Sequence, residues 1–150
     1  MSQLGNFVSE DDLETLIRER LIPGVILHVW CDFTTPPKEK FLVVLSTEPE
    51  CLVCLISSKI HPFNQKKEKL VASHVELHRA DYDFLDHNSY ANCNNVYMME
   101  IGEIVDQCKK VFSRIKGNLT EPDSGHVLRA IQDSVLVSGK HKKVTSASLK

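Results

Sequence analysis

The chain has 150 residues, 42% of them apolar and 25% charged, with 18 Lys and Arg against 20 Asp and Glu for a formal net charge of -2. That length and balance fit one globular domain with a sizeable core, and they exclude a disordered or collagen-like chain as well as a protein that coats nucleic acid through bulk positive charge. No apolar run approaches the roughly 20 residues of a membrane-spanning helix, and the opening residues lack a basic segment followed by an apolar stretch, so a cytoplasmic protein without a membrane partner is expected.

In chain order, Ser9 to Leu21 reads as a short amphipathic helix. Ser9 is placed to cap it, Glu10, Asp11 and Asp12 complement the helix N-terminus, and Leu13, Leu16, Ile17 and Leu21 recur at helical spacing until Pro23-Gly24 stops the pattern. Val25 to Trp30 is β-branched and apolar, a strand. Asp32 to Lys40 holds Thr34-Thr35-Pro36-Pro37 and reads as an exposed loop. Phe41 to Ser46 and Cys51 to Ile56 are continuous apolar runs of strand length, joined by a turn at Glu48-Pro49-Glu50.

Ser57 to Leu70 is polar and basic, with Lys59, Lys66, Lys67 and Lys69 against Glu68, and it is read as a loop able to face an anion. Val71 to Leu77 alternates, with Val71, Val75 and Leu77 inward and His74, Glu76 and His78 outward. A turn is expected around Phe84 to Tyr90, and a strand over Ala91 to Met98 that three asparagines weaken. Glu100 to Ile115 reads as a helix, or a short strand followed by one. Thr120, followed by Glu121-Pro122, caps another helix whose apolar face carries Ala130, Ile131 and Val135. These elements suggest a single domain over residues 1–138, built as a small curved antiparallel sheet or partly open barrel, with 139–150 as a flexible basic tail.

Five cysteines cannot all pair within one chain, and a reducing compartment would keep them as thiols. Cys51 and Cys54 sit in a strand pattern where residues three apart face opposite ways, so small buried hydrophobes explain them better than a zinc site. His74 and His78 share the solvent face of a strand rather than helical metal-ligand spacing. No phosphate-cradling Gly-rich loop, Ser-His-Asp order or His-Glu-x-x-His motif is present. No metal and no cofactor are expected.

Four segments together resemble the MazF/PemK family of bacterial toxins, growth-inhibiting ribonucleases. Pro23-Gly24-Val25-Ile26 resembles the family's opening Gly-Asp-Ile strand, and Lys38-Glu39-Lys40-Phe41-Leu42-Val43-Val44-Leu45-Ser46 its basic-Arg-Pro followed by Val-Val-Leu-Ser. Leu55-Ile56-Ser57-Ser58-Lys59 resembles the strand ending in Ile-Thr-Ser, and Leu119-Thr120-Glu121-Pro122-Asp123 the Leu-Ser-Pro-Glu-Asp start of the C-terminal helix. Leu85 to Cys93 is also similar to a version found in some PemK-like members, and the order and spacing of these segments over about Pro23 to Ser138 carry the likeness. The resemblance implies an α+β, mainly β fold: a small SH3-like antiparallel barrel with an added N-terminal helix and C-terminal helices. It also implies a toxin-like, metal-independent endoribonuclease of a toxin-antitoxin system, with single-stranded RNA as substrate, a cognate antitoxin as partner and a homodimer as assembly. The departures are Lys40-Phe41 for Arg-Pro and Ser57-Ser58 for Thr-Ser, and a lysine point charge does not reproduce an arginine fork.

Cleavage by the ribose 2'-hydroxyl needs a base, an acid and donors for the charge on phosphorus. The resemblance places Lys40 at the family's basic catalytic position. Ser57 can donate to a phosphate oxygen, and Asp86 with His87 offers a carboxylate and an imidazole for proton transfer. Lys38, Ser58, Lys59 and Ser89 are expected to contact RNA, and Tyr90 to stack on an unpaired base. Each also has a structural explanation. Lys40 reads equally as a solvated charge, Ser57-Ser58 as a strand-ending turn, Asp86 to Ser89 as turn formers, Tyr90 as a core-edge aromatic and His28 as an outward strand residue. The competing function is a non-catalytic SH3-like binding module that has lost the active site.

Overall fold

The computed structural model describes residues 9–60 and 67–149. Helix α1 (Glu10–Arg20) begins where its cap predicts, with the Ser9 hydroxyl accepting the Asp12 amide at 3.1 Å and three acidic residues in the first turn. Gly24 then turns the chain into the sheet. Its φ of 97° lies in the left-handed region that glycine enters without a Cβ penalty, and its amide donates to the Val44 carbonyl at 2.7 Å.

Strands β1 (Val25–Cys31), β2 (Lys38–Ser46) and β3 (Leu52–Ser57) form an antiparallel meander. β4 (His74–Leu77) and β5 (Ser89–Asn92) extend it on one side, and β7 (Ile115–Asn118) on the other, giving the order β4-β5-β3-β2-β1-β7. β6 (Tyr97–Met98) pairs with the start of β3. The register shifts between Val44 and Ser46 where β2 meets β3, and between Ile26 and Leu27 where β1 meets β7. Such bulges bend their strands, and the outcome is a curled antiparallel half-barrel with N-terminal and C-terminal helices. This is the α+β architecture expected, although helical residues outnumber strand residues and the fold is not mainly β.

Both faces of this sheet are covered, which explains why β2 and β3 read as unbroken apolar runs rather than alternating ones. On one face Ile26, Val43, Cys54, Ile56 and Leu77 pack with Val127 and Ile131 of helix α4 (Glu121–Asp133). On the other, Leu27, Val29, Leu42, Val44 and Val53 pack with Ile17 and Leu21 from the α1 segment and with Ile104, Val105 and Cys108 of helix α3 (Ile101–Lys110). Leu27 and Leu42 are fully buried, so truncating either to alanine is expected to cost roughly 2–5 kcal/mol. All five cysteines are buried free thiols, as small hydrophobes would be, and burial raises Cys31, Cys51 and Cys108 to about 11.

Several elements depart from the sequence reading. β2 begins at Lys38 rather than Phe41, so Lys38 and Lys40 stand on a strand and not in a loop. The loop expected over Ser57 to Leu70 gives way to a short helix α2 (Glu68–Ala72), and its portion 61–66, with Lys66, lies outside the described residues. β4 is accordingly shorter than the expected strand. Ala91 to Met98 divides into the ends of two strands, because the Asn92 side chain accepts the Asn94 amide at 3.0 Å and the Asn94 side chain donates to the Leu70 carbonyl at 2.8 Å, fixing a turn. The helix expected to Ile115 ends at Lys110, and β7 follows it.

The segment from Gly139 is not a loose tail. It forms helix α5 (Gly139–Ser148), whose N-cap Ser138 accepts the His141 amide at 3.2 Å, with Thr145 and Leu149 buried. Polar links substitute for a sparse apolar face: Gln132 donates to the Lys142 carbonyl at 2.9 Å, and Lys140 meets Glu50 at 2.7 Å. Helix α4 starts at its predicted cap, where Thr120 accepts the Asp123 amide at 3.3 Å. Tyr82 locks that start, since its buried hydroxyl accepts the Thr120 amide at 3.1 Å and donates to Asp123.

Candidate functional site

Side chains in register across adjacent strands share a face, and the next residue along lies on the opposite one. From Phe41 opposite Ile56, one further step sets Lys40 opposite Ser57, and Ser57 pairs in turn with Tyr90 and Tyr90 with Glu76. Lys40, Ser57, Tyr90 and Glu76 therefore form one cross-strand row. Within it the Lys40 ammonium donates to the Ser57 hydroxyl at 3.3 Å, and the Tyr90 hydroxyl donates to Glu76 at 3.4 Å. Lys38, two residues before Lys40, projects from the same face and is exposed.

His28, Phe41 and Ile56 make the neighbouring row, which faces the other way. The His28 ring lies 4.5 Å from the Phe41 ring, and Phe41 lies 5.6 Å from Phe84. Together with the turn from Phe84 to Ser89 these rings bound a groove of about 280 Å3. Lys40, Ser57 and Ser58 contribute to its lining on one side, and Asp86, His87 and Ser89 on the other. No hydrogen bond or ion pair among the described residues joins Lys40 or Ser57 to Asp86 or His87, which stand across the strand ends from them. The turn is held by its own backbone contacts. The Ser89 hydroxyl donates to the His87 carbonyl at 3.1 Å, and the Asn88 side chain accepts the Arg79 amide at 2.8 Å. Lys59 and Tyr90 line an adjacent hollow with Ser58, Ile60 and Val71.

Charge is unevenly neutralised here. Glu39 leaves β2 beside Trp30 and meets Arg114 at 2.7 Å, and the Arg114 guanidinium holds the Glu39 carboxyl below its usual range. Lys40 has no such partner among the described residues. Its half-buried ammonium bonds a neutral hydroxyl, and burial, then repulsion from Lys38, lowers its pKa. Burial first, with Lys116 and Arg114 adding to it against an opposing pull from Glu39, lowers His28. His28, Phe41, Phe84 and the Glu39–Arg114 pair were not singled out as site residues from the sequence. The signal for His28 was an imidazole within an apolar strand, and the others depend on contacts between distant segments.

A larger hollow, of about 650 Å3, lies between β4 and α4. Some of its polar groups meet one another: His78 meets Glu76 at 3.3 Å, His126 meets Asp123 at 3.7 Å, and Asp123 also accepts from Tyr82, while Lys69, Arg129 and Asp133 complete the lining. The His74 Nδ1 bonds the Leu70 carbonyl at 2.7 Å, so His74 is half-buried rather than turned to solvent with His78. Among the described residues no three His, Cys, Asp or Glu side chains are grouped to hold a metal, and no helix is long and apolar enough to cross a membrane.

No family model matches the sequence, and no curated protein matches it. Among solved structures, the chain is similar to the Mycobacterium tuberculosis toxin MazF-mt6, at 14% identity and a TM-score of 0.50, over 76% of this chain and 98% of that one. The fold is MazF-like, as the segment order implied, with the likeness lying in backbone architecture rather than in sequence.

Proposed function

We propose that the chain is a toxin-like endoribonuclease that cleaves single-stranded RNA without a metal ion. The observation that carries this reading is the Lys40–Ser57 contact of 3.3 Å at the groove rim, a cation with no carboxylate against it, on the strand pair that resembles the toxin family's basic and Thr-Ser segments. In the reaction the ribose 2'-hydroxyl loses its proton and attacks the adjacent phosphorus. The bond to the 5'-oxygen breaks, and that oxygen leaves with a proton, giving a 2',3'-cyclic phosphate. Lys40 and Ser57 stabilise the charge developing on the phosphoryl oxygens, and Asp86 with His87 carries the protons. Lys38, Ser58, Lys59, Ser89 and Tyr90 contact the strand. A homodimer and a cognate antitoxin whose segment occupies the groove complete the reading.

A second reading, a binding module without catalysis, is favoured by one feature. Lys40 and Ser57 leave the sheet on the side opposite His28 and Phe41, and no hydrogen bond or ion pair among the described residues joins them to Asp86 or His87. The test is incubation of the purified chain with mixed-sequence RNA in chelator. Cyclic-phosphate ends that disappear with Lys40→Ala are expected. Binding of intact RNA with no cleavage by the unmodified chain would establish the module instead.

A further inference from the structure

Trp30 is the chain's single tryptophan, and it is 49% exposed on a strand rather than in a loop. It is the next residue along β1 on the face of His28, roughly 7 Å further on at strand rise, and its cross-strand partner Glu39 lines the groove. The backbone beneath it is fixed on the outer edge. Where β7 stops, the Gln107 side chain accepts the Trp30 amide at 2.8 Å and donates to the Trp30 carbonyl at 3.2 Å, while Arg114 donates to the His28 carbonyl at 3.0 Å. That edge is therefore closed to an added strand of a partner protein. What is left open is a pair of ring surfaces beside Lys116 and Arg114, with Glu39, the carboxylate opposite Trp30, neutralised by Arg114. Aromatic rings flanked by cations on a rigid strand match the chemistry of unpaired bases on a phosphate backbone.

We infer that His28 and Trp30 form a stacking platform for successive unpaired bases of an RNA strand that runs along the groove lined by His28. This rests on the RNA reading above and adds two positioning residues to it. Burial, with Lys116 and Arg114 adding to it against the pull of Glu39, lowers the His28 pKa and so favours the neutral ring, which suits stacking.

Because Trp30 is the only tryptophan, its emission reports the platform directly. The whole chain is titrated with a short 2'-O-methyl single strand, which resists cleavage, and with the same backbone made abasic. Affinity is read separately from the anisotropy of an end label. The base-bearing strand is expected to quench Trp30, and the abasic one to bind more weakly without quenching. Trp30→Ala and His28→Ala should each weaken binding about 5- to 100-fold, with His28→Phe restoring it. Should one variant misfold by circular dichroism, the other and the quenching of the unmodified chain still decide. Binding with unchanged emission, and with both alanine variants at full affinity, would overturn the platform and leave the RNA reading intact. No binding of any single strand would overturn both. Conversion of a dimer to a monomer by Trp30→Ala, with no effect on RNA, would assign this face to a second copy and overturn the platform.

Discussion

The two hollows of this sheet differ in a way their sizes hide. The wider one, between β4 and α4, gathers three imidazoles and several carboxylates, and its imidazoles and two of its carboxylates are engaged by neighbours, in His78–Glu76, His126–Asp123, Tyr82–Asp123 and His74 with the Leu70 carbonyl. The narrower one holds fewer ionisable groups, but its rim carries the half-buried Lys40 ammonium, which bonds a neutral hydroxyl and has no carboxylate partner among the described residues. Internally paired charges have little left to give a ligand. A cation partly withdrawn from water and without a carboxylate among the described residues has much to gain from an arriving phosphate, which is the reason for proposing the narrow groove as the site.

If that contrast is right, Lys40→Ala should lower RNA cleavage by about 100- to 1000-fold, the loss typical of removing one donor to a transition-state oxyanion, and His126→Ala should leave the rate unchanged. End-group analysis of cleaved RNA measures both, and equal losses would erase the distinction between the hollows. Stability should respond the other way round. Tyr82→Phe strips the buried Asp123 and the Thr120 amide of a partner and should cost about 1–3 kcal/mol in urea unfolding, while leaving the groove's chemistry in place. Ser57→Ala removes a neutral donor and is expected to slow cleavage about 3- to 10-fold. The smallest change concerns pH. With its pKa lowered, Lys40 loses its charge at a lower pH than an ordinary lysine, so cleavage should decline early on the alkaline side. Lys38→Ala removes the repelling neighbour and should move that decline to higher pH, as a pH–rate profile would record.

Much of the scaffold was legible because it is set locally. Ser9 and Thr120 cap helices through a side chain and an amide three residues on, and the continuous runs in β2 and β3 announce strands covered on both faces. β7 escaped notice because four residues containing Gly117 and Lys116 offer neither alternation nor β-branched density, and its pairing with β1 joins segments far apart in the chain. Helix α5 escaped because the anchors Val137, Val144 and Leu149 are scattered among lysines and serines, and the links to Gln132 and Glu50 come from elsewhere. The same locality governs the site. Lys40 and Ser57 were visible through the segments that resemble toxins, whereas the stack of His28, Phe41 and Phe84 exists only once β1, β2 and the turn before β5 meet.

The bulge between Val44 and Ser46 has a reach beyond curling the sheet. On the turn side of it Ser46 faces Leu52; beyond it Val44 faces Val53, one step out of phase. Carried to the strand ends without that step, the turn-side register would bring Ser58 rather than Ser57 opposite Lys40, and Ser57 would be displaced from its place beside the ammonium. Two adjacent serines that look interchangeable in the sequence are thus made unequal by a single unpaired residue about five positions away. Pairing Leu45 with Val53, instead of leaving it unpaired, would act as a gear change, trading one hydroxyl for its neighbour without altering either.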